Sequence, residues 1–273
     1  MTTARTHPAR VVLVGHPVAH SRSPHFQNAA FAAAGIPLQY GTLDVPPGAL
    51  ETTLGELKAA RAAGNVTVPH KEAAAEACDR LTPIAERVGA VNTFWVEDGL
   101  LWGDNTDVAG FDAAVVALGT PRRHATVLCL GAGGAAAAVC AAVVHWPGAR
   151  VVLRARSPAR AARLASRFPD IVSLETDREL ASGHLTLLVN ATPLGMHGEL
   201  TPIPVAEIPR DADVMDLVYR EGETTLVREA RARGHSAMDG REMLLQQGAL
   251  AFTRWFGVAP DLDVMRRALE TAG

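Results

Sequence analysis

Hydrophobic and polar positions alternate along this chain between two regimes. Short runs rich in valine and leucine are followed by alanine-rich stretches with charges at helical spacing. That alternation predicts βαβ units and parallel sheets. "RVVLVG" (Arg10–Gly15) predicts a first strand, and "SPHFQNAAFAAAG" a helix with Pro24 in its opening turn and Gly35 at its end. "LQYGTLDV" predicts a second strand and "GALETTLGELKAARAAG" an amphipathic helix running to Gly64. "NVTV" predicts a third strand, stopped by Pro69, before "KEAAAEACDRL" resumes helix. "GAVNTFWVEDGLLWGDN" predicts two strands joined at Asp98-Gly99, a hairpin dipeptide, and "TDVAGFDAAVVALG" a further helix.

After the breaker "GTPRRH" the pattern restarts. "ATVLCLGAGGAAAAVCAAVV" reads as strand, glycine turn and helix. "RVVLRA" is a strand, "SPARAARLASRF" a helix, and "LTLLVNAT" and "ADVMDLV" are strands. From "REMLLQQGALAFTRWFG" onward the chain is helical. The expected organisation is a first α/β domain over 1–107, a second α/β domain over 108–241, and C-terminal helices over 242–273.

Composition narrows the classes. At 273 residues and 48% hydrophobic, the chain can build two cores. Aromatics at 5% argue against an all-β architecture, and a net charge of −3 gives no reason to expect nucleic acid or an anionic membrane as a partner. Cys78, Cys129 and Cys140 have no metal-type spacing, and the last two sit in apolar runs as core thiols. "MTTARTHPAR" lacks a leader's hydrophobic region, and no apolar run approaches ~20 residues. A reduced, cytoplasmic setting is expected.

"LGAGGAAAAV" places Gly131, Gly133 and Ala136 in the G-x-G-x-x-G/A arrangement between a predicted strand and helix. The glycines allow a tight turn and close backbone approach, and the helix start offers N–H groups to a diphosphate. Together these predict a dinucleotide-binding domain of Rossmann type. NAD binders carry an acidic residue at the end of the next strand to hold the ribose hydroxyls. Here that strand ends "VVLRARSPAR", with Arg154, Arg156 and Arg160 and no carboxylate, which favours the 2′-phosphate of NADP.

Such a domain needs a partner that binds substrate and moves protons. Polar clusters in the first half fall at predicted strand ends: Ser21 and Ser23 in "HSRSP", Asn65, Thr67 and Lys71 in "NVTVPHK", Asn92 in "AVNTF", and Asn105 and Asp107 in "GDNTD". They suit a small polyhydroxylated acid. Lys71 is one of two lysines among 26 Lys and Arg residues. Arginine keeps its proton at working pH, whereas lysine can exchange one, so a lysine retained here is a candidate proton donor. Zinc is a poor fit for His16 and His20, because Pro17 lies between them and no HExxH-type glutamate accompanies them.

"GHPVAHSRSP", "GNVTVPHK", "GAVNTF", "GDNTDVAGF", "LGAGGA", "NATPLGM", "DLVYR" and "GREMLLQQGALAF" follow one another from about Val11 to Gly257. In that order they resemble the shikimate dehydrogenase family over nearly the full length. The resemblance implies reversible NADPH-dependent reduction of 3-dehydroshikimate to shikimate in aromatic amino acid (chorismate) biosynthesis. It implies that Ser21 and Ser23 hold the substrate carboxylate, that Thr67, Asn92 and Gln247 bind ring hydroxyls with Tyr219 nearby, and that Lys71 and Asp107 are the catalytic pair. On the NADP side it implies Gly131, Ala132, Gly133, Gly134 and Ala135 in the turn, and Arg156, Ser157 and Arg160 at the adenosine phosphate. Thr192, Gly240 and Met243 complete the cofactor set. The last helices would return to the first domain, bringing Gln247 to the substrate.

The sequence departs from the family pattern at several places. Ala155 stands where the family has Asn before the phosphate-binding arginine, and Ser157 where Thr is usual. Val108 follows Asp107 where Gly is common, Glu221 replaces a Pro, and Arg241 a Leu. None touches Lys71 or Asp107. Two other readings stay open: an NAD-using quinate/shikimate dehydrogenase, and a nucleotide-sensing module without catalysis. Neither a monomer nor a homodimer is selected by these residues.

Overall fold

The computed structural model describes residues 7–174 and 184–271. The described chain divides into two compact units, one drawn from Met1–Gly110 and Leu244–Gly273 and the other from Phe111–Met243. Residues 1–6, where the absence of a leader was partly read, lie outside the described residues. Among those described, no helix is long and apolar enough to cross a membrane.

The first unit is built on β1 (Arg10–Gly15), β2 (Tyr40–Asp44), β3 (Ala62–Val66), β4 (Arg80–Leu81), β5 (Thr93–Glu97) and β6 (Leu100–Asp104). Their order in the sheet is β2-β1-β3-β5-β6-β4. β1 pairs parallel with β2 and β3, while the β5–β6 hairpin joins antiparallel to β3. Asp98 and Gly99 both adopt positive φ, +51° and +73°, as a two-residue hairpin turn of this twist requires.

Every residue of β1 after Arg10 is buried, because both faces of the sheet are covered. Val11 and Leu13 face a core shared with α1 (Ser23–Ala33), the C-terminal half of α9 (Arg241–Phe256) and α10 (Leu262–Thr271), through Phe31, Phe252, Trp255 and Met265. Val12 and Val14 face the opposite core, with Leu50, Leu54 and Leu57 of α2 (Leu50–Ala59) and Ala74 of α3 (Lys71–Ala77). The final helices thus pack on the first sheet. α4 (Pro83–Val88) also belongs to this unit, and α5 (Asp107–Leu118) begins in it and continues into the second.

The second unit carries β7 (Thr126–Leu130), β8 (Arg150–Arg154), β9 (Val172–Leu174), β10 (Leu187–Asn190), β11 (Asp213–Asp216) and β12 (Ala237–Met238). Their order, β12-β11-β10-β7-β8-β9, is all-parallel and doubly wound, with its switch point beside β7. α6 (Gly134–Val143), α7 (Pro158–Ala165) and α8 (Thr225–Ala232) accompany it. Residues Ala136 through Val143 of α6 are all buried. A helix enclosed on every side needs small side chains, and the alanine run supplies them.

One strand lies upstream of where the hydrophobic pattern puts it. The helix expected to reach Gly64 ends at Ala59, and β3 occupies Ala62–Val66 rather than "NVTV". Arg61 in the left-handed region (φ +52°) ends the helical path. Ala62, Ala63 and Gly64 then enter the sheet because the space between β1 and β5 admits little side chain. A Cβ on Gly64 would lie 2.0 Å from the Val12 carbonyl oxygen and 3.0 Å from the Phe94 ring. Alanine-rich residues fit a helix or a crowded central strand, and packing decides for the strand. The helix expected over "KEAAAEACDRL" ends at Ala77, where Cys78 turns extended, and Arg80–Leu81 pairs with β6 as β4 instead. The pattern also passed over α4, α8 and the short strands β9 and β12. α8, "TLVREARA", is half polar and starts from a Thr224 side-chain cap on the Val227 N–H.

In the second unit the ends of β10 and β11 are tied together inside the protein. Asn190 Nδ2 donates to Asp216 Oδ1 at 2.8 Å and to the Leu194 carbonyl at 3.0 Å, and the Val218 N–H donates to the same Asp216 oxygen. Burial pushes the Asp216 carboxyl up to about 6, against these hydrogen bonds.

Two stability tests follow from these cores. Gly64→Ala should cost about 1–3 kcal/mol, the scale of overpacking, whereas Gly55→Ala in the open middle of α2 should gain up to about 1 kcal/mol. Urea unfolding compares them, and equal effects would contradict the placement of β3. For Asp216, the folded protein holds its proton more tightly than the unfolded chain, whose carboxyl titrates near 3.8. Its contribution to stability is therefore full below that pH and is lost as pH rises through about 6. Asp216→Asn keeps an acceptor for Asn190 and Val218 without the charge. From pH 3.5 to pH 7 it should gain up to about 3 kcal/mol on wild type. Parallel pH responses of the two proteins would refute this.

Candidate active site

Parallel strands release their chain at one edge of the sheet, and the polar residues of the first unit collect there. β1 leads into the turn bearing Ser21 and Ser23, where the Ser23 N–H donates to Ser21 Oγ at 3.2 Å as α1 begins. β3, the parallel neighbour of β1, leads into Thr67 and then into α3, whose first residue is Lys71. Thr67 packs against the end of β1: a Cβ on Gly15 would fall 2.4 Å from Thr67 Cγ2. His70, buried one residue before the lysine, fastens this segment through its Nε2 to the Val45 carbonyl at 2.6 Å.

Lys71 Nζ meets Asp107 Oδ2 at 2.6 Å, with side-chain exposures of 17% and 6%. The other carboxylate oxygen, Oδ1, accepts from Asn92 Nδ2 at 2.8 Å. Asn92 Nδ2 also lies 3.2 Å from Gln247 Oε1, on α9. Four expected site residues, Lys71, Asp107, Asn92 and Gln247, thus form one contiguous group, with Ser21, Ser23 and Thr67 at the same sheet edge.

Behind this group runs a buried chain of hydrogen bonds. The Thr106 N–H donates to Asn92 Oδ1 at 2.8 Å, Thr93 Oγ1 to the same oxygen at 3.0 Å, Asn65 Nδ2 to Thr93 Oγ1 at 3.0 Å, and Tyr40 Oη to Asn65 Oδ1 at 2.8 Å. α9 is docked from α1 by Gln27 Nε2, which donates to the Gly248 carbonyl at 2.9 Å. Gly248 permits that approach, since a Cβ there would sit 2.4 Å from the Phe26 ring. Asn65 stood out in the sequence as a polar residue at the end of a predicted strand. Tyr40, Thr93, Thr106 and Gln27 did not, and their partners lie as far as 221 residues away. Their one sequence signal is a polar residue inside an apolar run.

The remaining expected residues belong to the second unit, at the C-terminal ends of its parallel strands. In the turn between β7 and α6, Gly131 has φ +119°, and a Cβ there would lie 2.9 Å from the Ala191 carbonyl oxygen. Ala132, Gly133, Gly134 and Ala135 are half-buried along the turn, and Gly133 is the N-cap of α6. Arg160 Nη2 is 4.0 Å from where a Gly133 Cβ would be. Ser157 Oγ caps α7 by accepting from the Arg160 N–H at 3.4 Å, and Arg156 is exposed beside it. Thr192 is held after β10 by its N–H and hydroxyl, both donating to Asn190 Oδ1 at 3.0 and 2.7 Å. Tyr219 follows β11. The Gly240 N–H donates to the Val218 carbonyl at 3.0 Å, and a Cβ on Gly240 would overlap the Leu217 carbonyl at 2.3 Å. Met243 is buried in the first turn of α9.

This donor set fits a dinucleotide. The turn has room where a side chain would obstruct a diphosphate, a helix N-terminus faces it, and two arginines without a carboxylate stand at the end of β8. Cys129 and Cys140 are fully buried, and burial pushes the Cys140 thiol up to about 12, so neither offers a nucleophile. Among the described residues, no cluster of His, Cys, Asp and Glu is arranged to hold a metal ion.

Comparison with known proteins agrees with this geometry. Residues 13–94 match the shikimate dehydrogenase substrate binding domain, and residues 240–270 the shikimate 5'-dehydrogenase C-terminal domain. A shikimate dehydrogenase (NADP(+)) from Rubrobacter xylanophilus is 44% identical, over 96% of this chain and 96% of that protein. The crystal structure of a Thermus thermophilus shikimate 5-dehydrogenase in complex with NADP(H) and shikimate is 40% identical. It superposes with a TM-score of 0.87, covering 97% of this chain and 99% of that one. A Listeria monocytogenes shikimate 5-dehydrogenase in complex with shikimate and NAD is 28% identical with a TM-score of 0.85, over 95% of this chain and 96% of that one. With two domain matches, relatives above 40% identity along nearly the whole length and the same two-sheet fold, this chain belongs to the shikimate dehydrogenase family.

Proposed function

We propose that this protein catalyses the reversible, NADPH-dependent reduction of 3-dehydroshikimate to shikimate, a step of aromatic amino acid biosynthesis carried out in the cytoplasm. The observation that carries the reading is the part-buried contact of Lys71 with Asp107, held by Asn92 and reached by Gln247. A sensor needs the glycine turn but has no use for such a lysine–carboxylate pair in the other unit.

In the reducing direction the bound nicotinamide supplies hydride to the ketone carbon. The work of the chain is at the ketone oxygen, where negative charge grows. Lys71, as ammonium, stabilises that charge and donates the proton, and in the reverse direction its amine takes the proton back from the hydroxyl. Asp107 fixes the ammonium by one oxygen, while its other oxygen is pinned by Asn92. The carboxylate cannot rotate away, and it is placed to accept a hydrogen bond from a neighbouring substrate hydroxyl. Ser21 and Ser23 offer hydroxyl donors to the substrate carboxylate, Thr67, Asn92 and Gln247 address ring hydroxyls, and Tyr219 is a further substrate-binding residue. On the cofactor side Arg156 and Arg160 hold the 2′-phosphate, Ser157 supports them through the cap of α7, and the turn over 131–135 holds the diphosphate. Thr192, Gly240 and Met243 would complete the cofactor site.

Two experiments test this reading. Lys71→Arg and Lys71→Met should each lose kcat by about 10²-fold or more, the scale of general acid–base catalysis, while shikimate and NADPH still bind by calorimetry. A Lys71→Arg enzyme keeping more than about a tenth of the rate would leave charge alone as the role of the lysine. Arg156→Ala should weaken NADPH binding by about 1.5–3 kcal/mol, the range for a hydrogen bond to a charged group, and leave NADH use nearly unchanged. Equal loss with both cofactors, or a wild type that prefers NADH, would refute the assignment of Arg156 and favour the NAD-using quinate/shikimate reading.

A further inference from the structure

The turn that delivers Asp107 is held from outside the reacting group. Three residues upstream, Asp104 ends β6 with 3% of its side chain exposed. One of its oxygens accepts from Thr82 Oγ1 at 2.5 Å and from the Asn105 N–H at 2.8 Å. The other accepts from Arg254 Nη2 at 2.6 Å. The backbone carbonyl of Asp104 accepts from the Asn92 N–H at 3.1 Å. Asp104 therefore touches the segment of Asn92 through its backbone carbonyl, and the turn of Asp107 through its buried carboxylate.

Arg254 belongs to α9, seven residues after Gln247. Two helical turns bring the side chains back to one face, about 10 Å apart along the axis. The guanidinium also lies over the Trp95 ring, 5.4 Å from its centroid, and Trp95 stacks on Trp102 of the same hairpin. Elsewhere α9 is secured by Gln27 at Gly248 and by Trp255 Nε1, which donates to the Phe94 carbonyl at 3.2 Å. These hold the helix on the unit. The Arg254–Asp104 pair ties the same helix to the turn of Asp107.

We propose that Arg254 is a positioning residue: through Asp104 it sets the register of α9 against the β6–α5 turn, and so the spacing of Gln247 from Asp107 across Asn92. The proposal rests on the reading above that Gln247, Asn92 and Asp107 meet the substrate. Arg254 and Asp104 do not themselves touch the reacting atoms. Arg254 is 42% exposed, and with Asp104, Asn105 and Thr253 it lines an open cleft of about 470 Å³. Water can therefore reach the carboxylate when the guanidinium is removed, and α9 keeps its other attachments. The effect of losing Arg254 falls on alignment more than on folding.

The test uses the full-length protein and four variants: Arg254→Leu, Arg254→Lys, Asp104→Asn, and the double Asp104→Asn with Arg254→Leu. Wild-type turnover of shikimate with NADP is the baseline, and its absence would overturn the proposed function rather than this inference. With that baseline present, KM and kcat for shikimate, KM for NADP and Tm are measured well below Tm. Arg254→Leu should lower kcat/KM for shikimate by about 3- to 10-fold, the coupling expected of contacting residues, with KM for NADP within about twofold of wild type. Arg254→Lys should recover most of the loss, and the double variant should be no worse than the poorer single one. A fall in Tm with unchanged shikimate kinetics would overturn the proposal, as would equal impairment toward shikimate and NADP, or fully additive losses in the double variant. Should Arg254→Leu fail to fold, Asp104→Asn and Arg254→Lys decide: unaltered shikimate kinetics in Asp104→Asn overturns the proposal, and a selective loss there supports it.

Discussion

The Asn92 side chain sits at the point where the first unit has least freedom. Its amide donates toward Asp107, Thr106 and Gln247, and its oxygen accepts from the Thr106 backbone and the Thr93 hydroxyl, all within the protein. A polar group this deep costs about 1–3 kcal/mol when it lacks a partner, more than a single satisfied hydrogen bond contributes. The arrangement is therefore close to all-or-none: β5, the β6–α5 turn and α9 must each present the right atom. Asp107 depends on it further. Lys71 and Asn92 approach the two oxygens of this carboxylate, which is only 6% exposed. Removing one partner of such a buried pair typically costs about 3–5 kcal/mol. The same contacts that satisfy the core also orient Lys71 and Asp107, the proposed catalytic pair.

Both units collect their candidate site residues at the C-terminal edge of parallel strands, for a common physical reason. A strand covered on both faces must be apolar along its length, so polar side chains are pushed to its end and the turn beyond. β1, with its buried valines, hands over to Ser21 and Ser23. β7 hands over to the glycine turn, β10 to Thr192 and β11 to Tyr219. The edges then need bracing, and each unit uses a buried carboxamide next to a carboxylate. Asn92 with Asp107 serves the first, and Asn190 with Asp216 the second. In the second unit burial leaves the carboxylate holding its proton more tightly than an exposed acid would.

Much of this could be read from the residues alone, and the misses have identifiable causes. Strands with β-branched runs, the Asp98-Gly99 hairpin and the glycine turn carry local signals strong enough to survive any packing. Lys71 was conspicuous against an arginine-rich background. β3 was misplaced because "ARAAG" is equally good helix, and what selects the strand is the lack of room between Val12 and Phe94, which no local pattern reveals. α8 escaped because its apolar face is narrow and its start is marked by a single threonine cap. The Arg254–Asp104 pair joins residues 150 apart. In the sequence each reads as an ordinary surface charge, and the topology turns one of them into a buried anchor.

The cofactor question turns on charge at the end of β8. An NAD site needs a carboxylate there to accept hydrogen bonds from ribose hydroxyls, and the same carboxylate repels a 2′-phosphate. This chain has neither benefit nor penalty, since residues 150–163 contain no acid. What remains is attraction: Arg156 exposed, and Arg160 held next to the glycine turn by the start of α7. Ala155 offers no side-chain amide in this loop, so affinity for the phosphate must come from the guanidinium groups. Charge-assisted, bidentate contacts of that kind are the stronger class and are weakened by salt where exposed. Discrimination between the two cofactors in this protein should accordingly narrow as ionic strength rises, through a weaker hold on NADPH rather than a better hold on NADH. Cofactor KM ratios measured across a salt series would show it, and a ratio independent of salt would place the discrimination in shape instead of charge.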